Sequence, residues 1–436
     1  MNLRDFRRAG HLPTLICAFL YFDVSFMIWV LIGSLGVSIS AQLGFDPVAD
    51  AAKKGFLVAV PLLGGSLLRV VLGLLTDHIG ARRTALVGMM LTTIPLLLGW
   101  LWANNFPEIL LVGLLLGVAG ASFAAALPLA GRWYPPHYQG LAMGIAGAGN
   151  SGTALATFFG PVLARWLGWH AVFGLALIPL LVILGIFFLL AKDSPHQPPP
   201  KSLRDYGAVL GYADTWWFGL LYSVTFGGFV GLASFLTIFF KDQYFLLDTK
   251  SGEVYAGYIT TFCVISGSFL RPVGGYLADR FGGIRMLMLL YSAAGLALLM
   301  LATLPALPVA IVLLFAVMGL LGMGNGSVFQ LVPQRFPREI GVLTGIVGAA
   351  GGIGGFLLPN MLGKLKQETA SFAPGFVLFA LMACLCVFVL WRLRPRWESE
   401  FLAAASTAAA PEEPIVASAN ASGNGCHSTF VPTEMS

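Results

Sequence analysis

Apolar residues run along this chain in long blocks separated by short polar intervals. A helix needs about 20 apolar residues to cross a bilayer. Blocks of that length, bounded by charges, prolines or Asn/Asp/Gly clusters, lie near 12–40, 55–76, 84–103, 107–130, 139–164, 170–191, 214–240, 255–277, 286–306, 308–331, 341–363 and 372–392. Membrane barrel strands would instead show short alternating segments. The pattern therefore predicts an all-α membrane protein with twelve transmembrane helices.

One interruption differs from the rest. Lys192-Asp193-Ser194-Pro195-His196-Gln197-Pro198-Pro199-Pro200-Lys201 is polar and proline-rich, reads as a linker, and splits the blocks six and six. The expected organisation is a six-helix half at 1–191, a cytoplasmic linker at 192–213, a second six-helix half at 214–392, and a disordered cytoplasmic tail at 393–436, where Ala, Ser, Thr, Pro and Glu replace the apolar pattern. The block at 12–40 follows a basic N-terminus but is too long for a signal-peptide core, so it is read as a retained span.

Composition agrees with lipid as the main solvent. Of 436 residues, 57% are hydrophobic and 10% charged, with mean hydropathy +0.83, against about a quarter charged in soluble domains. A soluble enzyme is excluded, and a net charge of +5 without a basic run gives no nucleic-acid surface. The cysteines and histidines show no metal-ligand spacing, and no nucleophile–base pair stands out, so no metal, cofactor or enzymatic activity is expected.

Sidedness follows from the basic residues. With the N-terminus in the cytoplasm, sixteen Lys and Arg fall inside, seven fall outside, and Arg69 and Arg271 remain within spans. Both termini are thus expected on the cytoplasmic side of a multi-pass cell-membrane protein.

The two halves repeat. A shift of 202 carries Gly65-Ser66-Leu67-Leu68-Arg69 onto Gly267-Ser268-Phe269-Leu270-Arg271, and Gly73, Asp77, Gly80 and Arg83 onto Gly275, Asp279, Gly282 and Arg285. Parallel repeats of this kind put a substrate site at mid-membrane between the halves. The loops Asp77-His78-Ile79-Gly80-Ala81-Arg82-Arg83 and Asp279-Arg280-Phe281-Gly282-Gly283-Ile284-Arg285 resemble the loop signature of the major facilitator superfamily. The resemblance implies that Asp77, Arg83, Asp279 and Arg285 bias a cytoplasmic gate.

Arg69 and Arg271 each precede their loop Asp by eight residues, about 12 Å of helix. A charge at the centre of a span costs about 2.5–3.5 kcal/mol, and Asp23 is the only clear acid within a span to offset two of them. Guanidinium is planar, permanently charged and forked, which suits a small planar oxyanion such as nitrate, nitrite, bicarbonate or a carboxylate. Asp23 itself could pair with an arginine, carry a proton, or cap a polar contact.

The fifth block carries Gly144-Ile145-Ala146-Gly147-Ala148-Gly149-Asn150-Ser151-Gly152, and the eleventh a similar glycine run from Gly345 to Gly355. A literal GxGxxG at Gly147–Gly152 lacks the strand that a dinucleotide fold needs, so close helix packing is the simpler reading. These runs, the tenth-block segment Gly322-Met323-Gly324-Asn325-Gly326-Ser327-Val328-Phe329-Gln330 and the arginine pair together look like the nitrate/nitrite porter family. That resemblance implies an anion clamped by Arg69 and Arg271, with Asn150, Tyr222, Phe226, Phe123 and Phe26 completing the site. The family holds both proton-linked nitrate importers and nitrate/nitrite exchangers; the expectation here is proton-coupled uptake of nitrate and nitrite by a monomeric carrier in nitrate assimilation, with nitrate/nitrite exchange, carriage of another planar anion, or nitrate sensing as the alternatives.

Overall fold

The computed structural model describes residues 3–195, 203–248, 251–336 and 340–409. Every expected block is helical. In chain order they are α1 (Leu12–Trp29, extended by the short turns Leu31–Ser34 and Gly36–Gln42), α2 (Ala51–Ile79), α3 (Ala81–Leu101), α4 (Phe106–Gly120, resuming at Phe123–Gly131) and α5 (Pro136–Gly147 and Gly152–Leu167, joined by the 3-10 turn Ala148–Ser151). They continue as α6 (Trp169–Leu190), α7 (Ala213–Tyr244), α8 (Gly252–Phe281), α9 (Gly283–Leu301), α10 (Leu307–Arg335), α11 (Ile340–Thr369) and α12 (Ala373–Ala409). No strand occurs among the described residues.

Ten of these helices are long and apolar enough to cross a membrane, and the chain is a multi-pass membrane protein. The other two expected spans are α5, cut into shorter pieces by its 3-10 turn, and α8, whose 30 residues include Glu253, Arg271, Asp279 and Arg280. Both of these spans carry expected site residues, Asn150 and Arg271.

The repeat seen in the sequence is also a repeat of contacts. In the first half the Trp29 ring lies where a Cβ on Gly65 would sit, 2.8 Å away; in the second, the Phe229 ring lies 2.6 Å from the corresponding point on Gly267. Between α2 and α3 stands Gly80 at φ 91°, and between α8 and α9 stands Gly282 at φ 89°. Each ends one helix and begins the next in a left-handed conformation that only glycine adopts without strain.

Contacts group Met1–Arg394 as one compact unit, so both halves pack as a single body. A separate unit starts at Pro395; within it the helix continues to Ala409 and carries the ion pair Arg396–Glu400 at 2.9 Å. The tail expected from residue 393 is therefore helical as far as Ala409, and residues 410–436 lie outside the described range. The linker contains the short helix Leu203–Leu210, while 196–202 also lie outside that range.

The halves meet along α2 and α11, where glycine lets backbones touch: a Cβ on Gly55 would collide with the Pro359 carbonyl, and one on Gly363 with the Ala51 carbonyl. Polar bonds add to this seam at the end remote from the 77–83 and 279–285 loops. Lys54 on α2 pairs with Asp242 on α7 at 2.9 Å, both side chains 7% exposed. The backbone N–H and hydroxyl of Ser38 donate to Glu253 on α8, and Ala52 N–H donates to Gln367. At the loop end, Asp77–Arg132 and Asp214–Arg335 each stay within one half.

Candidate anion-binding site

Arg69 lies on α2 eight residues before Asp77 and is wholly buried. Its guanidinium donates to Gly348 O on α11 and, at 2.9 Å, to Gly120 O on α4. The second acceptor is free for a local reason. Where α4 breaks after Gly120, Ala124 N–H turns to Ala121 O, so the Gly120 carbonyl loses its intrahelical partner and takes the arginine instead. Arg69 Nε makes no hydrogen bond, which leaves one buried donor unused.

Arg271, half-buried on α8, also keeps an unpaired buried donor, Nη1. Phe123 links the two cations: its ring centre is 5.3 Å from the Arg69 guanidinium and 5.9 Å from that of Arg271. Arg69 also faces Phe226 at 5.2 Å and Trp29 at 5.6 Å. Aromatic faces stabilise a desolvated guanidinium by about 2 kcal/mol or more. They soften the burial of charge without neutralising it. Among the described residues neither arginine pairs with a carboxylate, so a positive centre remains in an aromatic box, wholly buried at Arg69.

The box is built by helix spacing. Tyr222 and Phe226, one turn apart on α7, stack at 5.0 Å with ring planes 6° apart. Phe22 and Phe26, one turn apart on α1, meet at 4.4 Å. Phe26 reaches Phe226 across the halves at 6.3 Å.

Asn150 sits in the 3-10 turn of α5, fully buried, with neither amide atom hydrogen-bonded. The turn is pressed against α1, since a Cβ on Gly149 would lie 2.8 Å from Phe19 O and one on Gly152 would strike Asp23 O. Asp23 is part of that seam: Ser151 donates to its carboxylate at 2.8 Å. Of the three roles open to it, the structure displays the local polar contact, with Ser151 rather than an arginine as partner. Glycines of α11 likewise serve packing, with Gly351 against Tyr222 and Gly354 against Ser223 O.

The expected site residues Arg69, Arg271, Phe123, Phe226, Tyr222 and Phe26 thus belong to one contact network, and Asn150 lies on the packed α1–α5 seam. Of the loop residues, Asp77 pairs with Arg132 at 2.8 Å, while Arg83, Asp279 and Arg285 are exposed. Sequence reasoning missed Trp29, whose Nε1 donates to Pro61 O at 2.7 Å, and Phe329, which meets Tyr222 edge-on at 4.8 Å and Phe123 at 5.7 Å. Phe329 was visible in the tenth-block run; Trp29 shares the Phe26 neighbourhood. The carbonyls of Gly120 and Gly348 had no sequence signal.

Comparison with known proteins fits this architecture. Residues 15–359 match the family described as Major Facilitator Superfamily. The "Nitrite extrusion protein" of Bacillus subtilis is 33% identical over 381 residues, covering 86% of this chain and 93% of its own. The "Probable nitrate/nitrite transporter NarK2" of Mycobacterium tuberculosis is 34% identical over 392 residues, covering 86% and 95%. In fold, the chain resembles the crystal structure of a D-xylose-proton symporter, with TM-score 0.69 at 18% identity over 87% of this chain and 96% of that one. The chain belongs to the Major Facilitator Superfamily and, within it, to the family of nitrate/nitrite porters.

Proposed function

We propose that this protein is a secondary carrier of nitrate and nitrite that works by alternating access, exchanging one anion for the other across the cell membrane. The observation that carries the reading is a pair of arginines with unused donors on one aromatic ring and, among the described residues, no carboxylate partner. A planar oxyanion supplies the missing acceptors and charge, and flanking rings favour flat ligands. The relatives named for nitrite extrusion and nitrate/nitrite transport support the same class of cargo. The loop end and both termini face the cytoplasm, in line with the excess of Lys and Arg there.

Exchange is preferred because arginine does not release its proton at any relevant pH. An empty site leaves two cations without an anion, one of them wholly buried, so the loaded carrier reorients more easily than the empty one. Proton-coupled uptake is the second reading, favoured by Asp23, a half-buried acid joined through Ser151 to the turn that holds Asn150. Counterflow in proteoliposomes separates them. Exchange requires that nitrite trapped inside accelerates nitrate entry without acidifying the lumen; entry that depends on a proton gradient and ignores internal nitrite would overturn it.

A further inference from the structure

A second orphaned carboxamide lies outside the set of expected site residues. Asn325, on α10, is completely buried, and both its Oδ1 and Nδ2 lack a hydrogen bond. Buried amides left without partners in mid-membrane are costly, and native proteins satisfy nearly all of them. Its neighbours fix its place. A Cβ on Gly324 would lie 2.5 Å from Thr225 on α7, and one on Gly326 would collide with the backbone carbonyl of Arg271 on α8. One turn further on, Phe329 packs against Tyr222 and Phe123.

The internal repeat gives independent support. The shift of 202 that carries Arg69 onto Arg271 carries Phe123 onto Asn325. Phe123 is the ring under both guanidinium groups, so the corresponding position on α10 addresses the same centre from the second half. There an aromatic ring is replaced by an amide with two donors, one acceptor and nothing to bond.

We infer that Asn325 is a ligand-facing, specificity-determining residue whose Nδ2 donates to an oxygen of the anion held by Arg69 and Arg271. This rests on the anion reading given above. The site is then asymmetric: aromatic on the α4 side, hydrogen-bonding on the α10 side. A carboxamide there favours cargo with an acceptor oxygen beyond those the two arginines engage, and so favours nitrate over nitrite.

The test is calorimetric binding of nitrate and of nitrite to the purified full-length protein, with a thermal melt as control for folding. Asn325→Leu should weaken nitrate binding by about tenfold, with a smaller loss for nitrite, because a hydrogen bond to a charged ligand is removed. Asn325→Asp, similar in shape but anionic, should abolish binding of both near pH 7.5. If the leucine variant does not fold, Asn325→Ser removes the reach of the amide with less disturbance and should show the same nitrate-weighted loss. Wild-type binding with the folded leucine or serine variant unchanged, or weakened equally for both anions, would overturn the proposal while leaving the anion reading intact. A wild-type protein that binds neither anion would overturn that reading and this inference with it.

Discussion

Arg69 donates to carbonyls on two different helices while keeping Nε free, and this demands more than a positive charge. A lysine has one nitrogen on a flexible stem and cannot bridge Gly348 O and Gly120 O while also offering a planar fork. Transport of nitrate into proteoliposomes should fall by more than about tenfold in Arg69→Lys and in Arg271→Lys, each change removing one or two charge-assisted bonds to the cargo. Rates near wild type in both variants would sink the paired-arginine site. The arginines were legible in the sequence because a charge inside an apolar block is conspicuous. The acceptors of Arg69 were not, since every residue has a carbonyl and only the break in α4 makes that of Gly120 available. Asp23 was visible for the same reason as the arginines, but its bond to Ser151 spans 128 positions and leaves no local signature.

At the scale of elements, two glycines and one seam set the frame. Gly80 and Gly282 hold φ near 90° at equivalent corners, so Gly80→Ala and Gly282→Ala should each destabilise the fold by about 1–2 kcal/mol, read as a lowered melting temperature in detergent. Gly88, on a regular stretch of α3, provides a comparison in which φ is ordinary. Gly152 is constrained differently, by the Asp23 carbonyl lying where its Cβ would go. Gly152→Val should separate α5 from α1, cost about 1–3 kcal/mol through overpacking, and displace Asn150; loss of nitrate binding beyond the loss of stability would identify the second effect. Helix positions were readable from block length and hydropathy. The irregularities after Trp29, after Gly120 and across Ala148–Ser151 were not, because tertiary contacts rather than local propensity hold the backbone there.

For the whole molecule, the two halves touch by backbone along α2 and α11 and by charge at the end remote from the signature loops. The Lys54–Asp242 pair is nearly dry, so removing one partner strands the other at a cost of about 3–5 kcal/mol to this arrangement. Asp242→Asn should therefore favour the opposite arrangement and raise the labelling of Ala52→Cys by a membrane-impermeant maleimide, once the native thiols are replaced. Lys54→Met combined with Asp242→Leu, which leaves no stranded charge, should return labelling toward the wild-type level. Charge counts along the sequence indicated which end each residue occupies, but pairing between residues 188 apart could not be read from them.

The bond from Arg69 to Gly348 O joins α2 of one half to α11 of the other, and so acts as a bolt across the line along which a rocking carrier must part. Drawing the bolt without cargo would leave a guanidinium donor with neither water nor carbonyl. In the exchange proposed above, an oxyanion beside it would take over that donor as the carbonyl withdraws, which would make the cargo part of the hinge mechanism as well as its load. On that reading, leak through the empty protein would be governed by a main-chain acceptor, one that no side-chain substitution at Gly348 can delete.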